Sequence, residues 1–179
     1  MNEKKYVLKN EEELVIRKAN SSDALRVIEY VKKVANESDY LTFSSEEFNM
    51  TVDEEKEYIK NINQRNNCLF LIAEVSGKIV GNLNFNGNDR LRISHMGEFG
   101  ISVVKEYWGK GVGSKLLKYL IEWSKKTKII KKINLVVRED NQRAIELYKR
   151  FGFEKEGIIT RYFYLNNKFY NAMQMGLKL

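Results

Sequence analysis

Apolar residues recur along this chain with two spacings, the i, i+3, i+4, i+7 pattern of amphipathic helices and the short runs typical of strands. The helical stripe from Ala24 to Ala35 predicts a first helix, capped by Ser21 or Ser22. A Ser-Gly pair at 76–77, between two apolar runs, predicts a hairpin turn. The elements predicted in this half are a strand, two helices and a hairpin, at residues 14–18, 24–35, about 52–63, 69–75 and 79–85.

The second half alternates strands and helices before a final hairpin, whose turn is predicted at Asn166-Asn167. Asn141 is placed to cap the last helix and Gly152 to end it. The strands are predicted at residues 98–104, 133–137, about 154–159 and 170–177, with one helix around 116–123 and another after 141. The order β-α-α-β-β-β-α-β-α-β-β predicts an α/β fold with a mixed sheet and helices on both faces. We expect a single domain over residues 1–179, with a loosely ordered start at 1–12.

Composition places this chain among ordinary globular proteins. Its 179 residues are enough to bury a core without disulfides. Cys68 is the only cysteine, which excludes an intramolecular disulfide and favours a reducing environment. No signal peptide is visible, and no apolar run approaches the length that spans a bilayer. We therefore expect a cytoplasmic protein without a membrane partner.

Charge is distributed unevenly around the net value of +7. Between Glu37 and Glu57 there are eight acids and a single base, Lys56. From Lys105 to the end, 17 Lys and Arg face 7 Asp and Glu, an excess of +10. The first half therefore offers a place for a cation and the second half a place for an anion.

Three alternating glycines follow the strand at 98–104, in the run Gly109-Lys-Gly-Val-Gly-Ser114. Glycine lets the backbone turn and approach a ligand closely. The first N–H groups of the following helix have no partner within it, and with the helix dipole they form an anion site suited to a pyrophosphate. A P-loop is excluded because no Gly-Lys-Ser/Thr occurs, and a dinucleotide fingerprint is excluded because Ser114 replaces its third glycine.

The segment Ile101–Leu117, which contains Trp108-Gly-Lys-Gly-Val-Gly113, resembles the acetyl-CoA motif of the GCN5-related N-acetyltransferase (GNAT) superfamily. A second block, from Asn141 to Gly157, is similar to that family's N-x-x-A-x-x-L-Y-x-x-x-G-F helix. The spacing between the two blocks and the order of elements agree with the family over nearly the whole chain. The resemblance implies an N-acetyltransferase domain with a GNAT fold, whose central sheet is mixed and mostly antiparallel.

The resemblance also implies acetyl-CoA as co-substrate, without a metal. Backbone groups of Ile101, Ser102 and Val103 would pair with its pantetheine arm. Asn141 would contact the cofactor, and Tyr148 would lie near the thioester sulfur. The pyrophosphate would be held by backbone amides of the glycine loop, which comprises Gly109, Lys110, Gly111, Val112, Gly113 and Ser114.

The chain departs from the family pattern at two positions. Trp108 replaces the usual Gln or Arg, a variant that resembles the branch with ribosomal-protein N-terminal and spermidine acetyltransferases. Val136 stands where some members have a catalytic Glu. Glu98 matches instead an E-x-G strand motif of the Trp-Gly-x-Gly branch.

Two side chains are candidates for the proton transfers of amine acetylation. Glu98 either removes the proton of the acceptor ammonium, directly or through water, or only binds that amine. Tyr148 lies on an apolar helix face, where spacing alone favours a core aromatic, but the resemblance implies that it protonates the departing thiolate. His95, the only histidine, and Cys68 are expected to have no catalytic role, and potential metal ligands do not cluster.

The acceptor is a primary amine of unresolved class: a small amine or polyamine, an amino acid or a protein N-terminus. The acids at 37–57 and the aromatic run Tyr162-Phe-Tyr164, with Phe169 and Tyr170, suit a small cation such as a polyamine. Two other functions stay open, an acetyl-CoA sensor without turnover and a basic nucleic-acid-binding module. The second is disfavoured because the lysines are scattered. A homodimer is compatible with the sequence.

Overall fold

The computed structural model describes residues 3–179, which form one eight-stranded sheet with two helices on each face. The strands are β1 Lys4–Val7, β2 Glu13–Lys18, β3 Cys68–Val75, β4 Lys78–Gly87, β5 Met96–Val103, β6 Lys132–Arg138, β7 Glu154–Leu165 and β8 Lys168–Lys178. The helices are α1 Ala24–Glu37, α2 Val52–Gln64, α3 Val112–Thr127 and α4 Gln142–Arg150. Short 3-10 turns occupy Ser21–Asp23, Leu91–Ile93 and Lys105–Tyr107.

The sheet order is β1-β2-β3-β4-β5-β6-β8-β7, and every described pair is antiparallel except β5 with β6. A side chain built at Gly81 on β4 would contact Val112 and Leu116 of α3. Ser102 on β5 points the other way, where its hydroxyl meets Tyr30 of α1. The prediction of a mixed, mostly antiparallel sheet with helices on both faces is therefore confirmed.

The core is densest where α1 and α3 cover the central strands. β3 is buried along nearly its whole length, as its continuous apolar run predicts. The predicted stripe of α1 is the buried face of that helix, with Val27, Val31 and Val34 all at most 7% exposed. Each such side chain contributes roughly 1.5–3 kcal/mol on burial.

The two predicted hairpin turns have the backbone conformation that tight turns between twisted strands favour. Ser76 and Gly77 have φ values of 48° and 74°, and Asn166 and Asn167 have 51° and 57°. Positive φ at both central residues matches the right-handed twist of the flanking strands. The prediction of turns at these positions is confirmed.

Two sequence-based expectations need correction. Within the expected loose start at 1–12, residues 4–7 form β1, which pairs with Glu13–Ile16; Met1 and Asn2 lie outside the described residues. β1 has little apolar signal because it is an edge strand, held partly by an ion pair of Lys4 with Glu122 of α3. The turn that leads into α1 is capped by Asn20 rather than by a serine, because the Asn20 side chain accepts a hydrogen bond from Ser22 N. The Asp23 side chain accepts a hydrogen bond from Asn20 N, which completes a capping box.

Candidate active site

The central strands separate into a V, which is the main cleft-forming feature of the sheet. β5 and β6 pair in parallel only from Met96 to Glu98, opposite Lys132 to Asn134. Beyond that point β5 stays paired with β4, and β6 stays paired with β8. Among residues 3–179, no strand pairs with the inner edge of β5 from Phe99 to Val103. An extended ligand can add to such an edge as a further strand.

The glycine loop lies at the wide end of this V. Gly81, which pairs with Val103 at the end of β5, approaches Val112 at the start of α3. Gly109 and Gly111 have φ values of 78° and 99°, which L side chains rarely adopt.

The start of α3 leaves donors available to a ligand. Gly111 is its N-cap residue and has no side chain with which to cap the helix. The N–H groups of Val112, Gly113 and Ser114 precede the first i→i−4 bond of the helix, from Lys115 to Gly111. These donors and the positive end of the helix dipole together suit a pyrophosphate.

The guanidinium of Arg143, a residue that the sequence did not single out, lies beside the glycine loop. The Arg143 side chain of α4 stacks on Trp108, with its central carbon 5.0 Å from the ring centroid. A Cβ atom built at Gly109 would be 3.6 Å from Arg143 Nη2. Trp108 itself is fixed because its Nε1 donates to Val103 O at 2.6 Å. Arg143 thus places positive charge near Trp108, which stands where the family motif usually has Gln or Arg. In the sequence, only its place two residues after Asn141 pointed to Arg143.

Two lysines near the glycine loop lie over aromatic rings. Lys110 Nζ lies 4.5 Å from the centroid of Tyr107, and Lys115 Nζ lies 4.8 Å from that of Tyr6. Both lysines belong to the segment where α3 begins, so their ammonium groups add positive charge near the start of that helix.

Tyr148 lies on the α3/α4 face of the sheet, behind the V. Its ring makes edge-on contacts with Phe99 on β5 and with Phe153, at centroid distances of 5.9 and 6.0 Å. The side chain is 7% exposed, and burial raises the pKa of its phenol well above the usual range. The hydroxyl therefore keeps its proton at neutral pH.

Asn141 has a structural contact in addition to any contact with a ligand. Its Oδ1 accepts from Ala144 N at 3.2 Å and so caps α4, as predicted. Gly152 ends the same helix with a φ of 87°, also as predicted.

The opposite face of the V is polar. Glu98, Gly100 and Ser102 alternate along β5 on the side of α1 and α2. Ser102 donates to Asn82 at 2.7 Å and meets the Tyr30 hydroxyl at 2.8 Å, so its side chain is fixed. Glu98 is accessible from the cleft, yet partial desolvation by the surrounding protein raises the pKa of its carboxyl. Glu98 and Tyr148 therefore flank the V from opposite faces of the sheet.

Two residues set aside in the sequence occupy peripheral or buried positions. His95 is exposed and precedes β5, where its carbonyl accepts from Lys131 N at 2.7 Å. Cys68 is buried at the start of β3, and burial raises the pKa of its thiol. Neither position suits a nucleophile or a base.

The acidic stretch at 37–57 makes mostly local contacts. Glu54 caps α2 in a capping box with Thr51, and Glu47 accepts from Ser44 N at 2.7 Å. Asp53 pairs with Lys56 at 2.9 Å. The carboxylates of these three acids therefore already have partners within the stretch, whereas Glu37 accepts from Lys105 N at 2.6 Å, outside it.

Arg138 connects the loop after α1 to the V. Its guanidinium lies between the rings of Tyr40 and Tyr170, at 4.3 and 4.4 Å from their centroids. It donates to the Asp39 carbonyl at 2.9 Å and to both carboxylate oxygens of Asp140, at 2.6 and 3.1 Å. An open cavity of about 420 Å³ lies next to this cluster, lined by Glu139, Asp140, Gln142, Phe169, Tyr170 and Asn171. Of the predicted aromatic run, Tyr170 and Phe169 reach it.

Two other kinds of feature are absent from residues 3–179. No group of three or more His, Cys, Asp or Glu side chains there is arranged to hold a metal ion. The helices of that part of the chain are too short or too polar to cross a bilayer.

Comparison with known sequences gives consistent matches. The model of the acetyltransferase (GNAT) family matches residues 34–153. An L-amino acid N-acetyltransferase of Escherichia coli (strain K12) is 36% identical over 106 residues, which are 59% of this chain and 65% of that relative. The spermidine N(1)-acetyltransferase of the same strain is 26% identical over 152 residues, 83% of this chain and 78% of the relative. The first match thus spans less than two thirds of the relative's length.

Solved structures match over almost the whole chain. The acetyltransferase of the GNAT family from Streptococcus pneumoniae superposes with a TM-score of 0.91 at 32% identity, covering 93% of this chain and 99% of that one. A structure from Salmonella typhimurium, solved with its cofactor acetyl-CoA, has a TM-score of 0.80 at 18% identity and covers 93% and 94% of the two chains. At that identity the second match shows the fold alone.

Proposed function

Because this chain belongs to the acetyltransferase (GNAT) family, we propose that it transfers the acetyl group of acetyl-CoA to a primary amine by direct attack. The observation that carries the proposal is the V between β5 and β6, with the glycine loop and the start of α3 at its wide end. A cleft of this form accepts an extended arm along a strand edge and an anionic group at the helix N-terminus.

The residues present fit acetyl-CoA. The inner edge of Ile101–Val103 would pair with the pantetheine arm, and the N–H groups of the glycine loop would hold the pyrophosphate. The guanidinium of Arg143 would add a charge-assisted contact beside Gly109. When bound, acetyl-CoA supplies an acyl group activated as a thioester.

Glu98 receives the proton that the acceptor must lose. A lysine-like amine has a pKa near ~10.4 and is an ammonium at neutral pH, so it cannot attack before deprotonation. The raised pKa of Glu98 makes its carboxylate a better base than an exposed glutamate. Its accessible position on the α1/α2 face allows contact with the amine directly or through one water.

Tyr148 holds a proton on the other side of the V. Its buried phenol stays protonated because burial raises its pKa, and the rings of Phe99 and Phe153 fix its orientation. From there its O–H would donate to the departing sulfur, whose thiol has a pKa of ~8.5 in the analogous cysteine. The proton that the attacking nitrogen loses on forming the amide would restore the phenol. The two proton transfers are thereby assigned to opposite faces of the sheet.

The acceptor class proposed is a small primary amine, an amino acid, a polyamine or a protein N-terminus. The relatives named above are an L-amino acid and a spermidine acetyltransferase, and both kinds of acceptor carry a primary amine. Ribosomal-protein-alanine N-acetyltransferases occur among the structural neighbours. Because the acids at 37–57 are mostly paired locally, the cation would be recognised closer to the V.

Release of free thiol from acetyl-CoA tests this function, with spermidine, L-amino acids and a short peptide with an N-terminal alanine as acceptors. We expect release that depends on one of these amines and falls in Tyr148→Phe. Binding of acetyl-CoA in a titration without release by any acceptor would favour the sensor function. Absence of acetyl-CoA binding would refute the proposal.

A further inference from the structure

The vertex of the V contains a buried oxygen without a donor. Asn134 on β6 is directly paired with Glu98 on β5, so both side chains lie on the α1/α2 face. Asn134 is only 8% exposed, and within residues 3–179 its Oδ1 atom is buried with no hydrogen-bond partner. Buried polar atoms in proteins nearly always have a partner, and an orphan acceptor costs roughly a tenfold or greater factor in stability. This oxygen therefore calls for a functional explanation.

A second carboxylate lies on the other side of Asn134. Gly176 on β8 is the residue paired with Asn134 there, and a Cβ atom at Gly176 would clash with the Glu156 carboxylate. The missing side chain lets Glu156 lie against the sheet, where it pairs with Lys132 at 2.8 Å. Lys132 neutralises Glu156, so among residues 3–179 Glu98 remains the carboxylate next to Asn134 without an ion pair.

The ligand that such a cluster suits is rich in donors and positively charged. An ammonium has three N–H donors and no acceptor, like the lysine side chain. A neutral carbonyl oxygen accepts from an amine in both its charged and its neutral form, whereas a carboxylate alone favours the charged form. An anion would instead be repelled by the Glu98 carboxylate and would find no donor at Asn134 Oδ1.

We propose that Asn134 binds the acceptor's amino group, with its Oδ1 accepting one N–H while Glu98 faces another. The inference rests on the proposed function and assigns the residue that orients the nucleophile. When Glu98 takes one proton, the neutral amine keeps an N–H for Asn134, and its lone pair is left free for attack. Asn134 thus holds the amine at the vertex, where β5 and β6 separate.

Steady-state kinetics of three variants test the assignment, using the acceptor with the highest turnover in the panel above. Asn134→Leu removes the oxygen at similar size, and Asn134→Asp keeps an acceptor oxygen in the same shape. The matched control is Ser124→Ala on α3, because Ser124 Oγ is the other buried side-chain atom without a partner in the described chain. Asn134→Ala replaces the leucine variant if leucine prevents folding.

We expect Asn134→Leu to raise the KM for the amine about tenfold or more, the factor of a hydrogen bond to a charged group. The Kd for acetyl-CoA should not rise and the Tm should not fall, because the lost oxygen has no partner within residues 3–179. Asn134→Asp should keep the KM within about threefold and move the acidic limb of the pH–rate profile to higher pH, since a second carboxylate beside Glu98 raises the pKa of Glu98.

An unchanged KM for the amine in Asn134→Leu, or an equal rise in Ser124→Ala, would overturn the assignment of Asn134. A wild-type protein without amine-dependent turnover would instead overturn the proposed function. The two failures are therefore distinguishable.

Discussion

The two sides of the V, which we propose bind the cofactor and the acceptor, are constructed differently. On the cofactor side, the free edge of β5, the glycine loop and the start of α3 come from one continuous segment, residues 101–117. On the acceptor side, the side chains come from separate elements: Glu98 from β5, Asn134 and Arg138 from β6, and Tyr40 from the loop after α1. The cofactor side relies on backbone groups, and the acceptor side on side chains.

This difference indicates which part of the site is free to vary. A site made of backbone groups, such as the glycine loop, requires only small residues and particular φ values. The spacing of its glycines therefore determines what it can bind. A pocket of side chains from distant elements changes its specificity when one residue changes. We therefore expect substitutions on the two sides to affect different substrates, which the following variants test.

The largest effect is expected for Glu98→Gln on the acceptor side. If Glu98 accepts the ammonium proton, kcat/KM for the amine should fall about 10²–10⁴-fold while the Kd for acetyl-CoA is unchanged. In the wild type, the acidic limb of the pH–rate profile should lie above the range of an ordinary glutamate, because burial raises the pKa of Glu98. Kinetics between pH 5 and 9 measure both quantities, and a loss below about threefold would show that Glu98 is not the base.

Gly111→Ala should impair the cofactor side. With a φ of 99°, alanine at this position strains the loop by about 1–2 kcal/mol or displaces it. We expect the Kd for acetyl-CoA to rise about tenfold, measured by calorimetric titration. Gly77→Ala is the matched control, since Gly77 has a φ of 74° in the β3–β4 turn, outside the glycine loop. Equal loss of acetyl-CoA binding in both variants would indicate general destabilisation and contradict a specific role of the glycine loop.

Arg143→Ala tests the charge that replaces the usual Gln or Arg of the family motif. Removing its guanidinium should raise the Kd for acetyl-CoA about tenfold with little change in the KM for the amine, because the contact is a single charge-assisted hydrogen bond. Arg150→Ala, in the last turn of the same helix, controls for net charge. If the two variants bind acetyl-CoA alike, Arg143 has no specific role.

The smallest effect concerns stability on the acceptor side. Glu55 of α2 is 2% exposed, has no ion pair within residues 3–179, and burial raises its pKa to about 7. The native state therefore holds this proton more tightly than the unfolded chain, and stability falls as pH rises from about 4.5 to about 7. Glu55→Gln should add about 1–3 kcal/mol to the free energy of unfolding at pH 8 and little at pH 4.

Denaturant unfolding at the two pH values measures this gain. The control is Glu57→Gln, on the exposed face of the same helix and paired with Lys60. A gain that is equal at pH 4 and pH 8 would contradict the assignment of an unpaired, buried carboxyl.

The sequence predicted the elements whose signals are local. The stripe of α1, the buried run of β3 and both hairpin turns are encoded by neighbouring residues, and so are the glycine loop and the Asn141 cap. β1 was not predicted, because it is an edge strand that shows no apolar pattern and whose Val7 is 73% exposed.

The acceptor side could not be predicted for a different reason. The proximity of Asn134 to Glu98 depends on the parallel register of β5 and β6, across 36 positions of sequence. The stacking of Arg138 between Tyr40 and Tyr170 likewise joins residues far apart in the chain. For the acidic stretch at 37–57, charge composition does not show that Glu47, Asp53 and Glu54 bond to their own neighbours.

Mass spectrometry of the products, with CoA measured in the same reaction, tests the central claim most directly. The account predicts that an amine of the panel gains one acetyl group for each free CoA formed, and that no CoA is released without that amine. Release of CoA with no acetylated amine, or an acetyl group that remains on the protein, would contradict direct transfer to an amine.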